Sequence, residues 1–164
     1  MKNIIIPIKI GSVLLFFFLL NNPLQSQENS RGFSSSIRLN EINTHAFRHF
    51  RKNFSYVSNE NWSKAETGYV VRYIHNDLVN QAFYDFQGNF MYDVKFVGEK
   101  DLDKEIISRV CKEFPGYVID AINEVNGVDD SVYLFSLKNK MIVKNIMVTE
   151  TEIKVIDYML YSSR

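Results

Sequence analysis

Between Leu78 and Val97 the apolar residues fall on alternate positions to either side of Asp85-Phe86-Gln87-Gly88. Ala82, Tyr84 and Phe86 precede the glycine, and Phe90, Tyr92, Val94 and Phe96 follow it. Alternation with period two predicts a pair of half-buried strands. Asp at the first position of a type I turn and Gly at the fourth predict the turn between them, because Asp accepts hydrogen bonds from the turn amides and Gly takes a positive φ. Setting Asp85 opposite Asn89 puts Tyr84 across from Phe90 and Ala82 across from Tyr92. In that register Tyr84, Phe86, Phe90, Tyr92 and Phe96 belong under helices. Gln81, Phe83, Asp85, Met91, Asp93 and Lys95 fall on the opposite face.

The pattern changes period upstream. Phe47, Phe50 and Phe54 follow helical spacing, Asn43 suits an N-cap, and Ile42 with Phe47 forms a hydrophobic staple, which predicts a helix ending near Asn53. Strands follow over Val57 to Glu66, with Trp62, and over Tyr69 to His75. Past Val97, Asp103 is the cap of a second helix, Leu102 and Ile107 its staple, Val110 and Phe114 its stripe, and Pro115-Gly116 its stop. Strands are then predicted over Tyr117 to Val125, Val132 to Leu137, Met141 to Val148 and Ile153 to Tyr161. Moving each position of the first helix on by 60 maps Ile42, Asn43, Phe47, Phe50 and Phe54 onto Leu102, Asp103, Ile107, Val110 and Phe114. Each half therefore reads as one helix followed by a meander. Neither half has enough core to stand alone, so the expectation is an α+β fold: two tandem helix-plus-antiparallel-meander repeats forming one continuous sheet with both helices on one face. Residues 41–164 make a single domain in this reading, with repeats at 42–98 and 102–161.

The first residues change the picture of where this domain works. Lys2 and Lys9, the apolar run Ile10 to Leu20 and a polar stretch after it have the layout of a secretory signal peptide over residues 1–26. The run is shorter than the roughly 20 residues that span a bilayer. A plausible cut follows Ser26, a flexible lead-in covers 27–40, and the mature product is expected in the periplasm or outside the cell, with no membrane contact after cleavage. Losing Lys2 and Lys9 leaves 17 basic against 19 acidic residues, which offers no bulk attraction to nucleic acid. Cys111 is the only cysteine, so no intrachain disulfide can form, and it reads as a small apolar or flanking helix residue.

Chemistry is sparse. His45 and His49 lie one helical turn apart, a spacing that can share a metal, but no Glu stands between them as a zinc protease requires. No metal site and no cofactor are assigned. Glu99, Asp101, Asp103 and Glu105 read as acids at the positive end of a helix dipole. A Gly-x-Ser-x-Gly elbow, a phosphate loop and a dinucleotide fingerprint are absent, so the reading is non-enzymatic. What remains is aromatic and Met surface on strands, the residue types that protein-binding faces use. Hairpin parity selects Phe83, Met91 and Lys95 for a partner surface, with Arg72 and Tyr73 as neighbours depending on the register of the preceding strand.

The helix ending in Phe54, the Val57 to Trp62 step, Gly68-Tyr69-Val70-Val71-Arg72-Tyr73 and Ala82-Phe83-Tyr84-Asp85-Phe86-Gln87-Gly88 together resemble the PepSY-like, β-lactamase-inhibitor-like (BLIP-like) periplasmic family. The resemblance spans about Ile42 to Tyr161. It implies two tandem helix-plus-sheet repeats, export from a Gram-negative cell and no catalytic residues. In the second half Thr149-Glu150-Thr151 stands where the family tends to repeat its Asp-x-x-Gly turn, which leaves the last hairpin's register open. The functional expectation is an exported module that recognises another envelope protein or peptide through an open sheet face. The alternative is a periplasmic carrier of a small ligand or metal.

Overall fold

A computed structural model of the chain describes residues 37–128 and 130–160. The expected leader, the expected lead-in up to residue 36, Asp129 and residues 161–164 lie outside the described residues. Helix α1 (Thr44–Asn53) is followed by β1 (Ser58–Ala65), β2 (Gly68–His75), β3 (Leu78–Asp85) and β4 (Phe90–Phe96). Helix α2 (Lys104–Glu113) is followed by β5 (Val118–Gly127), β6 (Ser131–Lys138), β7 (Ile142–Val148) and β8 (Ile153–Leu160). The eight strands form one sheet in sequence order, and every pairing is antiparallel. The two helix-plus-meander halves join through β4 and β5, where Tyr92 to Phe96 pairs with Asn123 to Gly127.

Both helices begin the same way. The side chain of Asn43 accepts a hydrogen bond from the amide of His45, and that of Asp103 accepts one from the amide of Glu105, each 2.8 Å long. Satisfying an otherwise orphaned amide at that end is what the cap residue contributes. Phe50 is fully buried in α1 and Val110 almost so in α2. The first packs among Trp62, Val71, Tyr73, Ala82 and Tyr84; the second packs among Ile122, Phe135, Leu137, Ile146 and Val148. Opposed residues of an antiparallel ladder share a face. Ala82 opposes Asp93, Asp93 opposes Asn126, and Asn126 lies at even spacing from Ile122, so both helices cover the same side.

The hairpin between β3 and β4 forms with Tyr84 opposite Phe90 as the sequence predicts, and the next pair is Phe83 with Tyr92. Met91 is thus an extra residue, a β-bulge. Because side chains alternate, one inserted residue reverses the face of everything after it. Tyr92, Val94 and Phe96 turn to the side without helices, while Asp93 and Lys95 turn toward them. The parity reading is corrected accordingly: Tyr92 and Phe96 are not under helices, and Lys95 does not share a face with Phe83.

The turn that follows β3 is docked under the start of α1. Gly88 donates its amide to the carbonyl of Asp85, and the Asp85 carboxylate accepts from the backbone and side chain of Asn89. Burial pushes the Asp85 carboxyl upward, but these hydrogen bonds outweigh it and hold the group below its ordinary value. The Asn43 amide reaches the carbonyl of Phe86 at 3.1 Å, and His45 Nδ1 lies 3.0 Å from the carbonyl of Gly88. In the second half the corresponding turn is held differently: Arg109 of α2 donates to the carbonyls of Thr149 and Glu150.

Candidate functional site

The side of the sheet that faces away from the helices carries its own apolar cluster. Val70, Phe83, Tyr92, Val94, Val125, Leu134 and Met147 are all buried, and Met91, Val132 and Ile156 pack against them. The cluster runs across β2 to β7, so it bridges both halves. Every described residue in it belongs to a strand. Phe83 stacks on Tyr92 with ring centroids 4.5 Å apart, a pairing created by the bulge at Met91. Burial pushes the Tyr92 hydroxyl up to about 12, so it stays protonated at any ordinary pH.

Polar groups are set among these apolar ones. Arg72 opposes Gln81, Gln81 opposes Val94 and Val94 opposes Val125, which makes one cross-strand row with Arg72 as its exposed cation. Asn123 is completely buried, and among the described residues neither of its amide atoms has a hydrogen-bond partner; nor do the buried Gln81 Oε1 and Asn145 Oδ1. Each buried polar atom left unpaired costs roughly 1–3 kcal/mol, so these side chains reduce the stability of the fold.

On the helix side, the strip of sheet where the halves meet is polar. Asp93 is buried there, with Lys95 Nζ at 3.6 Å and Glu124 a further 4.0 Å from that ammonium. Burial pushes the Asp93 carboxyl up, and the Lys95 charge and the Asn126 amide bring it only part of the way back. A folded-state value above the unfolded one means that the protonated acid favours folding at low pH and the ionised acid detracts once pH rises through the folded value. Asp93→Asn is therefore expected to raise the urea midpoint at pH 7, with the gain vanishing as pH falls below about 3.8, the reference carboxyl value. Denaturant titrations at several pH values check this; a loss at pH 7 would mean that the pair with Lys95 outweighs the cost of burial.

The sequence-selected surface residues separate between the two sides. Phe83, Met91 and Arg72 lie on the helix-free face, Phe83 buried, Met91 half-buried and Arg72 exposed. Tyr73 opposes Asn80 and is packed under α1 against Phe50 and Phe54, and its hydroxyl is pushed up mainly by burial. Lys95 sits in the polar strip. Sequence reasoning missed the facing of Tyr92 and Val94, which depends on the bulge, and the buried amides of Gln81, Asn123 and Asn145, whose surroundings are set by cross-strand neighbours.

His45 and His49 act as fasteners of α1. His49 Nδ1 lies 3.0 Å from the Tyr84 hydroxyl and its ring stacks on Phe90; burial, then the charges of His45 and Lys52, lower its pKa. Among the described residues no three His, Cys, Asp or Glu side chains are grouped to hold a metal. Cys111 is exposed on α2, not a packed residue, because it lies off the stripe of Ile107, Val110 and Phe114.

An open antiparallel sheet of two helix-led meanders, with both helices on one face, is the BLIP-like architecture. Solved structures share it. A DUF2874 family protein from Bacteroides uniformis superposes with a TM-score of 0.62 at 14% identity, over 73% of this chain and 91% of that one. Another DUF2874 family protein, from Bacteroides ovatus, gives 0.62 at 13% identity over 73% and 87%. A BLIP-like protein from Bacteroides fragilis gives 0.62 at 8% identity over 75% and 89%. At these identities the likeness is one of fold. No family model matches the sequence, and no curated protein matches it.

Proposed function

We propose that this chain is an exported, non-catalytic module that binds another envelope protein or peptide across the helix-free face of its sheet. The observation that carries this reading is the half-buried apolar set Met91, Val132 and Ile156, packed against the buried Val70 to Met147 cluster that spans both halves and bordered by the exposed Arg72. Packed aromatic and aliphatic side chains lose little freedom on binding, which lowers the entropic cost of association. The partner chemistry that fits is a polypeptide segment with an apolar anchor and a carboxylate for Arg72. The leader over residues 1–26 supports a periplasmic or secreted location.

Photo-crosslinking in cells tests the face directly. A photoreactive residue at Met91 or Val132 is expected to give a defined adduct that Arg72→Glu abolishes while the thermal midpoint is unchanged; the same probe at Arg48, on the outer side of α1, is expected to give none. Adducts from Arg48 alone, or adducts at Met91 that ignore Arg72→Glu, would overturn the assignment. Phe83 is a poor probe, since an acid at a buried ring position would unfold the sheet before it reported on binding.

A further inference from the structure

The two edges of the sheet are finished in different ways. β1 is Ser-Asn-Glu-Asn-Trp-Ser-Lys-Ala, broken by an irregular register between Ser58 and Asn61 and by a left-handed Asn59, and its outer side receives a hydrogen bond from the amide of Ile37 to the carbonyl of Trp62. Polar composition, bulges and cover are the devices that protect an edge from pairing. β8 has a different composition. It is Ile-Lys-Val-Ile-Asp-Tyr-Met-Leu, among the described residues it pairs only with β7, and Val155, Tyr158, Met159 and Leu160 are 44%, 63%, 39% and 68% exposed. An exposed apolar edge of this length is a template for another strand.

The sequence of β8 specifies what that strand is. Lys154 opposes Met147 and Asp157 opposes Asn145, so both point to the helix-free face; Ile153 opposes Val148 and Tyr158 opposes Lys144, so both point to the helix face. β8 carries a bulge at Ile156, between Val155 opposite Ile146 and Asp157 opposite Asn145. Laid antiparallel to itself about a two-fold axis between Val155 and Ile156, so that the two bulges meet at the centre and pairing forms on either side of it, the strand sets Lys154 against Asp157 of the second copy, and Ile153 against its Tyr158. Both contacts occur twice by symmetry, and each joins residues on the same face. Asp157 also has a buried carboxylate oxygen with no hydrogen-bond partner among the described residues, which an ammonium opposite would serve. Because β1 is blunted, a head-to-tail contact of β8 on β1 is disfavoured, and the contact closes as a dimer instead of growing into a fibre.

We propose that this protein dimerises by antiparallel pairing of β8 with β8 of a second copy, extending the sheet across the two-fold axis so that the two helix-free faces run on as one surface. The inference stands on the edge strand alone and is independent of the binding role proposed above. A single strand pair with flanking apolar contacts lies near the lower limit of stable interfaces, about 1,200 Å², so the dimer is expected to dissociate in the micromolar range.

Sedimentation velocity from about 1 to about 200 µM reads it. Wild type is expected to pass from monomer to dimer across that range. Lys154→Glu leaves acids at both positions and Asp157→Lys leaves bases at both, so each alone is expected to weaken association about tenfold or more; mixing the two variants is expected to restore a heterodimer. Hydrogen exchange on unmodified protein reports the same contact without a substitution, with β8 amides slowed at high concentration and β1 amides unchanged. A wild type that stays monomeric throughout, or single charge reversals that leave the dissociation constant where it was, or a mixture that fails to pair, would each overturn the proposal.

Discussion

Phe50→Ala is expected to destabilise the protein by about 3–5 kcal/mol, the usual cost of deleting a fully buried phenylalanine ring. No solvent reaches Phe50. Its ring stacks on Phe54 at 5.0 Å and meets Trp62 and Tyr73 edge-on at 5.6 and 5.3 Å. These partners come from the C-cap of α1, from β1 and from β2, so the cavity would open where three elements meet and could not collapse from one side. Val110 holds the corresponding place in α2 among aliphatic neighbours; truncating it removes two methyl groups and is expected to cost about 1–2 kcal/mol. Urea unfolding of both variants checks the pair. A domain of this size has about 5–15 kcal/mol in total, so Phe50→Ala should approach the limit of folding at 37 °C. Equal losses at both sites would show that the first half collapses into the space the ring leaves.

Gly88→Ala is expected to cost about 2–4 kcal/mol, from two sources that a control separates. Gly88 has φ of +86°, and a Cβ there would lie 2.5 Å from Asn43 Oδ1 and 2.8 Å from the amide nitrogen of Ala46. The first atom is the acceptor that caps α1, so the clash loosens the cap as well as the turn. Gly116 has nearly the same φ, +83°, and open space where its Cβ would go. Gly116→Ala therefore carries only the left-handed backbone strain, about 1–2 kcal/mol. The difference between the two thermal midpoints isolates the contact between turn and helix. Identical shifts would mean that the turn moves away from α1 without penalty.

The architecture was legible in the sequence because its signals are local. Caps at Asn43 and Asp103, stripes at 3.6 spacing, alternation in the strands and the offset between the halves each sit within one element, and together they define a continuous sheet with helices on one side. The site was less legible. Its composition depends on which side each β4 residue faces, and that is decided by one extra residue, Met91, whose bulge no spacing rule reveals. A parity count carried past that point moves Tyr92 and Val94 to the wrong side and brings Lys95 with Phe83. The two partly matched turns tell the same story: Asp85-x-x-Gly88 announces itself, whereas Arg109 reaching the carbonyls after β7 pairs residues 40 and 41 apart in sequence, beyond any local pattern.

Strand order that follows chain order has a kinetic side as well. Apart from the junction between the halves, each strand finds its neighbour across a short connection, so little loop entropy is spent before contacts form. Such a polypeptide can zip up progressively as it emerges from a ribosome or a translocation pore, one hairpin at a time, and the sole long closure, around α2, decides when the two halves become a single cooperative unit.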